Sequence, residues 1–183
     1  MLWVKTFFGI LFQTILLGIF LYLPALTLNW SDAFLLLTIH FLMTILASAY
    51  LLIVKPESIE ARMNYDSKTQ PKEDRLATAL MFSAIFVGLS LAPIDIFHLN
   101  LSSSFEGSIK NIGLAIYIIG MLLFMASLNA NEFAETTVNI QEERGQKVID
   151  TGIYSMVRHP MYTGFIFFIT GANIWLGTYL SLL

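Results

Sequence analysis

The sequence contains no cysteine and few charged residues, and both absences narrow what the protein can be. Without cysteine the chain forms no disulfide, no thiolate nucleophile and no cysteine-ligated metal site. Charged residues make up 13% of its 183 residues, against roughly 25% in soluble domains. The net charge of −3 gives no basic surface of the kind that binds nucleic acid. We therefore exclude a soluble enzyme, a disordered chain and a nucleic-acid-binding protein.

Long uncharged runs occupy most of the chain. Hydrophobic residues make up 56% and the mean hydropathy is +0.71. Of the 23 charged residues, 18 lie in two stretches, 55–75 and 132–158. A hydrocarbon core needs roughly 20 apolar helical residues to cross it. Five continuous segments meet or approach this length: 7–28, 33–54, 76–94, 112–128 and 161–183. They predict an all-α, polytopic transmembrane bundle of about five helices in a lipid bilayer.

The last of these segments has two interpretations. It is apolar through Trp175, and Leu176-Gly177-Thr178 is suited to a turn. Segment 161–183 is then either one crossing or a hairpin broken at that turn. The first segment is longer than the core of a signal peptide and is interpreted as a retained helix. We take residues 1–183 as a single membrane domain.

The basic residues predict the orientation of the bundle. Only Lys110 falls on one side of a five-crossing arrangement. The other nine fall together on the opposite side: Lys5, Lys55, Arg62, Lys68, Lys72, Arg75, Arg144, Lys147 and Arg158. The positive-inside rule therefore predicts that the N-terminus and the loop 132–160 are cytoplasmic. The charged stretch 55–75 is interpreted as a solvated connector on the same side.

The most distinctive stretch of the sequence is 139–164, which joins the last two predicted helices. Thr151-Gly152 is a turn signal. Pro160 favours an extended His159 and suits the first turn of the next helix. Arg158 and His159 are thus expected at the N-terminus of a membrane helix. The free N–H groups and positive dipole there attract a carboxylate or phosphate.

Aromatic and small residues surround that helix start. Tyr154 and Tyr162 offer aromatic faces with polar tips, and Gly164 permits the close approach of another helix or a ligand. Each also has an ordinary interpretation, because tyrosines and Arg-His pairs commonly anchor helices at a membrane interface. His40 is alone on an apolar helix and is interpreted as a packing residue. The three histidines are too scattered to predict a metal site.

The stretch 141–164 resembles the isoprenylcysteine carboxyl methyltransferase family of integral membrane methyltransferases. The shared core is Arg158-His159-Pro160-x-Tyr162-x-Gly164. The lead-in resembles the bacterial branch of the family and comprises Gln141-Glu142-Glu143-Arg144-Gly145, Val148 and Gly152-Ile153-Tyr154. The resemblance implies a multi-pass protein of a bacterial inner membrane. It also implies transfer of a methyl group from S-adenosylmethionine to a carboxylate or other nucleophile of a lipophilic or small-molecule acceptor.

The resemblance implies cofactor-binding residues and assigns no catalytic residue. Gln141 and the backbone of 146–149 would contact the cofactor from the loop. Tyr154 would line the adenosyl pocket, and residues 159–162 would surround the cofactor at the start of the last helix. The complete set is Gln141, Gln146, Lys147, Val148, Ile149, Tyr154, Arg158, His159, Pro160, Met161, Tyr162 and Gly164.

Two alternatives stay open beside a methyltransferase. The family continues past the motif with a returning helix and a cytoplasmic tail. The 183 residues contain neither, so we expect a C-terminally truncated form. A non-catalytic membrane fragment is therefore one alternative. The other is a sterol-reductase-like membrane enzyme, which shares a similar Arg-His-Pro element and binds NADPH. The lead-in 141–154 favours the methyltransferase.

Overall fold

The uncharged runs fold as helices that satisfy their own backbone hydrogen bonds, as segments surrounded by lipid must. In this computed structural model, residues 1–63, 72–133 and 148–182 are described. Their helices, in chain order, are α1 (Leu2–Ala25), α2 (Ser31–Val54), α3 (Pro56–Met63), α4 (Lys72–Ile94), α5 (Gly107–Ala130), α6 (Ile153–Met156) and α7 (Pro160–Leu176). A π turn at Asp95–Leu99 follows α4, and a 3₁₀ turn at Leu180–Leu182 follows α7. The prediction of an all-helical fold is confirmed.

Within the described ranges, four helices are long and apolar enough to cross a bilayer, by length and composition. They are Leu2–Ala25, Ser31–Val54, Thr78–Leu99 and Gly107–Ala130, with mean hydropathies of 2.0 or 2.1. These spans correspond to the first four predicted segments. The fifth segment becomes α7, which has 17 residues and is therefore about 26 Å long.

Helix α7 ends at Leu176, and the chain turns away from the helix axis there. Gly177 adopts a left-handed φ of 107° and caps the helix after Leu176. The backbone N–H of Phe105 donates to Gly177 O at 2.8 Å. An isolated antiparallel bridge joins Ser104 to Thr178. The predicted turn at 176–178 is therefore where α7 ends, so segment 161–183 is not one continuous helix.

Glycines let α5 and α7 pack with their backbones in direct contact. Gly113 and Gly120 of α5 face Gly171 and Gly164 of α7, so the same seven-residue spacing occurs on both helices. A Cβ at Gly164 would lie 2.7 Å from the backbone N of Phe124, and the other three positions are equally crowded. The pairing runs antiparallel, because the lower-numbered glycine of α5 meets the higher-numbered glycine of α7. This pair places the start of α7 beside the end of α5.

Polar contacts join three helices at the end of the bundle away from the motif. Lys110 of α5 forms an ion pair with Asp32 in the first turn of α2. Trp175 Nε1 of α7 donates to the backbone O of Asp32 at 2.8 Å. The Lys110 ammonium lies 5.2 Å from the centroid of the Trp175 ring, within cation–π range. These contacts fix the rotation of α2, α5 and α7 relative to one another.

The apolar core lies mainly toward that same end. Its buried members come from α1, α2, α4, α5, α7 and the connection before α2. They are Leu21, Ala25, Trp30, Ala33, Leu36, Leu89, Ala92, Tyr117, Met121, Ala172, Trp175 and Leu176. A smaller cluster of Leu51, Leu52 and Ile59 lies at the motif end. Among the described residues, the motif end therefore has the smaller buried apolar cluster.

His40 is a buried packing residue, as expected. Its side chain is 6% exposed. The Nδ1 atom lies 2.7 Å from the hydroxyl of Tyr117, and Nε2 lies 3.3 Å from Nε2 of Gln13. The imidazole therefore links α1, α2 and α5 in the interior of the bundle.

Replacing Tyr117 by Phe should destabilise the bundle modestly. The change removes the hydroxyl and leaves Nδ1 of His40 without that partner in an apolar interior. The expected cost is about 1 kcal/mol, which thermal unfolding in detergent should report as a midpoint lowered by about 3 °C. Tyr179→Phe, at a half-exposed ring, is the matched control and should leave the midpoint unchanged. Equal midpoints for both variants would contradict a stabilising role for the His40–Tyr117 contact.

Candidate functional site

The segment 158–160 forms the start of α7, as the sequence predicts. His159 is the N-cap with φ −130°, and Pro160 is the first residue of the helix. No side chain of the described residues caps this end. Pro160 has no N–H, and the N–H groups of Met161 and Tyr162 have no acceptor within the helix. The start of α7 therefore offers backbone donors and a positive dipole to an anionic group.

Two exposed rings flank this helix start. The ring centroids of His159 and Tyr162 lie 5.9 Å apart, with planes inclined at 35°. Tyr162 is 58% exposed. The backbone N and the hydroxyl of Thr163 both donate to His159 O, at 3.1 and 3.2 Å, which fixes the backbone below the rings. The face of a tyrosine ring attracts cations, so Tyr162 can receive a positively charged ligand.

Tyr154 lies on α6, a single helical turn that begins after Gly152 at φ 61°. Its hydroxyl accepts a hydrogen bond from Nδ2 of Asn131 at 3.5 Å. Asn131 is the C-cap of α5, so the contact ties the motif to the end of that helix. Asn131 was not among the predicted site residues. Its position three residues after the apolar run 112–128 is the signal that points to it.

Gly164 faces α5. It is buried, and a Cβ there would lie 2.9 Å from Gly120 O as well as against the backbone of Phe124. The requirement for glycine at this position therefore comes from the packing of the two helices. A contact between Gly164 and a cofactor stays a prediction.

The other predicted site residues divide into two groups. Pro160 is buried at the start of α7, while Met161 and Ile149 are half-buried. Arg158 is exposed beside the helix start, and Val148 is 91% exposed in the lead-in. Gln141, Gln146 and Lys147 lie outside the described residues. The structure thus brings residues 158–162 together and joins Tyr154 to α5.

The described groups fit the cofactor that the resemblance implies. S-adenosylmethionine carries a carboxylate, which suits the uncapped start of α7 and the exposed Arg158. Its sulfonium suits the ring of Tyr162. Near the end of α5, Oδ1 of Asn129 is buried without a hydrogen-bond partner in the described part of the chain. A ligand N–H group would satisfy that oxygen.

Comparisons with known proteins match the C-terminal part of the chain, which contains the motif. The sequence model of the phospholipid methyltransferase family matches residues 109–183, which include α5, the motif and α7. Protein-S-isoprenylcysteine O-methyltransferase B of Arabidopsis thaliana is 32% identical over 69 residues. The alignment covers 37% of this chain and 35% of that relative. No solved structure matches the chain. The resemblance predicted from 141–164 is confirmed.

Proposed function

We propose, from the match of residues 109–183 to the phospholipid methyltransferase family, that this protein is a membrane methyltransferase that uses S-adenosylmethionine. The observation that carries the proposal is the uncapped start of α7, flanked by two exposed rings within the matched segment. The proposed acceptor is a lipophilic molecule with a carboxylate or another nucleophile.

The residues around α7 would hold the methyl donor. The N–H groups at the start of α7 and Arg158 would bind the carboxylate of its amino-acid tail. The rings of His159 and Tyr162 would lie beside the sulfonium, and Tyr154 beside the adenosine. Bound S-adenosylmethionine supplies an activated methyl carbon, so the chain must provide alignment and dry surroundings more than a strong acid or base. A carboxylate acceptor is already ionised and needs no general base.

The exposed apolar surface of α7 supports a lipophilic acceptor. Ile166 is 62% exposed and Phe167 is 40% exposed, within the second turn of the helix. In a bilayer these side chains contact lipid tails. An acceptor with a long apolar chain would therefore reach the start of α7 from the membrane without exposing that chain to water.

Binding of S-adenosylhomocysteine to the detergent-purified chain tests the proposal. Calorimetry should detect binding, and His159→Ala should weaken it about tenfold through loss of the ring beside the ligand. His98→Ala is the matched control because His98 is exposed and lies in the connection at the opposite end of the bundle. It should bind like the unaltered chain.

Three outcomes would overturn the proposal. Binding of NADPH without binding of S-adenosylhomocysteine would indicate a reductase. Binding of neither ligand by a folded chain would indicate a non-catalytic membrane protein. Equal loss of affinity in His159→Ala and His98→Ala would place the ligand elsewhere.

Replacing Tyr162 by Leu should lower the affinity for cationic ligands more than the affinity for neutral ones. Sinefungin carries a protonated amine where S-adenosylhomocysteine has a neutral sulfur, so only sinefungin gains from a cation–π contact. We expect the affinity for sinefungin to fall about threefold more than the affinity for S-adenosylhomocysteine. Calorimetry with both ligands on both proteins measures this difference. Equal losses would contradict a role for the Tyr162 ring in binding the sulfonium.

A further inference from the structure

Two basic side chains from a distant part of the chain bind the C-terminal end of α5. α5 has no basic residue in its last turn. Lys55 Nζ donates to Asn129 O at 2.6 Å. Arg62 Nη2 donates to Leu128 O at 2.8 Å and to Asn131 O at 3.2 Å. Cations at this end satisfy the last carbonyl groups and oppose the negative end of the helix dipole.

The two cations are held in place by the helices that carry them. Lys55 caps α2, and its backbone N–H donates to Leu51 O at 2.7 Å. Arg62 lies in the last turn of α3. Ile59 of α3 packs into the small apolar cluster at the motif end, against which Leu128 of α5 also packs. The prediction that 55–75 is a solvated connector is therefore wrong for α3, which is part of the packed structure.

Asn131 links these cations to the proposed cofactor site. Its carbonyl accepts the hydrogen bond from Arg62. Its side chain donates from Nδ2 to the hydroxyl of Tyr154 at 3.5 Å and accepts at Oδ1 from the backbone N of Phe133 at 3.0 Å. One residue at the end of α5 therefore contacts both α3 and α6.

We propose that Lys55 and Arg62 are positioning residues for the cofactor site. They set the last turn of α5, and through Asn131 they set the Tyr154 ring, without touching the cofactor. The inference rests on the proposed function for the role of Tyr154. It adds α3, which lies outside the segment matched by the methyltransferase family, to the parts on which the site depends.

Arg62→Met tests the inference through affinity for S-adenosylhomocysteine. Loss of two hydrogen bonds from a cation to the end of α5 should weaken binding about tenfold. Arg62→Lys retains a cation with several donors and should restore most of the affinity. Arg75→Met is the matched control, since Arg75 is exposed on α4 at the same end of the bundle. It removes the same charge and should leave affinity unchanged.

The outcomes separate this inference from the proposed function. If the unaltered chain binds no S-adenosylhomocysteine, the proposed function fails. If the unaltered chain binds and Arg62→Met binds equally well, only the positioning role fails. Equal losses in Arg62→Met and Arg75→Met would show a general effect of charge and would also overturn the inference.

A distance measurement tests the positioning role without any ligand. The chain has no cysteine, so Glu60→Cys on α3 and Met156→Cys on α6 create the only labelling sites. Both positions are exposed. Electron paramagnetic resonance of nitroxides at these sites should give a narrow distance distribution, which Arg62→Met broadens and Arg75→Met does not. An unchanged distribution in Arg62→Met would contradict a role in positioning α6.

Discussion

Replacing Gly171 by Ala should force α5 and α7 apart and lower stability more than the other single substitutions proposed for the bundle. The added Cβ would lie 2.6 Å from Gly113 O and would also overlap the backbone of Tyr117. Backbone atoms of two packed helices cannot move aside as a side chain can. We expect a cost of about 3 kcal/mol, measured as a thermal unfolding midpoint in detergent lowered by about 8 °C.

Gly9→Ala is the matched control for this substitution. Gly9 lies inside α1, and a Cβ there would meet nothing within 4 Å. Alanine favours a helix over glycine by about 1 kcal/mol, so the midpoint should stay unchanged or rise slightly. A lower midpoint in both variants would indicate that any change to a membrane helix destabilises the chain. A fall in neither would contradict direct backbone contact between α5 and α7.

Replacing Asp95 by Ala should give the second largest loss of stability. Its side chain is fully buried. The carboxylate accepts hydrogen bonds from the backbone N of Leu101, at 2.7 Å, and from the hydroxyl of Ser102. The Ser102 hydroxyl in turn accepts from the backbone N of Leu180 at 3.2 Å. One carboxylate thus joins the end of α4 to the connection before α5 and to the turn after α7.

Alanine at position 95 would remove the buried acceptor of both donors. We expect the thermal unfolding midpoint to fall by about 5 °C or more. Asp95→Asn retains one acceptor oxygen, so its midpoint should fall by less. Asp150→Ala, at an exposed carboxylate in the lead-in to α6, should leave the midpoint unchanged. Equal midpoints for Asp95→Ala and Asp150→Ala would contradict this role.

Both predictions concern contacts that hold α7 in place. The glycine contacts hold α7 against α5, and the motif lies at the start of α7. The hydrogen bonds around Asp95 hold the turn that follows α7. The position of the proposed cofactor site therefore depends on contacts along the whole length of α7, well beyond the motif itself.

The helices and the place of the motif were predictable because both depend on local sequence. An apolar run of sufficient length in a bilayer must form a helix, whatever its neighbours are. Pro160 starts α7 as expected, since proline suits the first helical position and has no N–H to lose. The end of α7 was predictable only as a turn signal, because contacts with Phe105 and Ser104 decide where the chain goes next.

The contacts of the site residues were not predictable from the sequence. The sequence left open whether Gly164 approaches another helix or a ligand, because the rotation of α7 decides which of its sides meets α5. The sequence likewise does not relate Arg62 to Leu128, which is 66 residues away, or to Asn131.

The sequence by itself determined a charge-poor helical membrane protein and the position of a methyltransferase-like motif. Hydropathy, proline placement and the motif are properties of neighbouring residues, so they can be read without a fold. Only the tertiary structure decided that α3 binds the end of α5 and that Asn131 joins both to Tyr154. Those contacts depend on the depth and rotation of whole helices. Close glycine contacts and a few buried polar groups set the depth and rotation of the helices. These contacts join residues that are far apart in the chain.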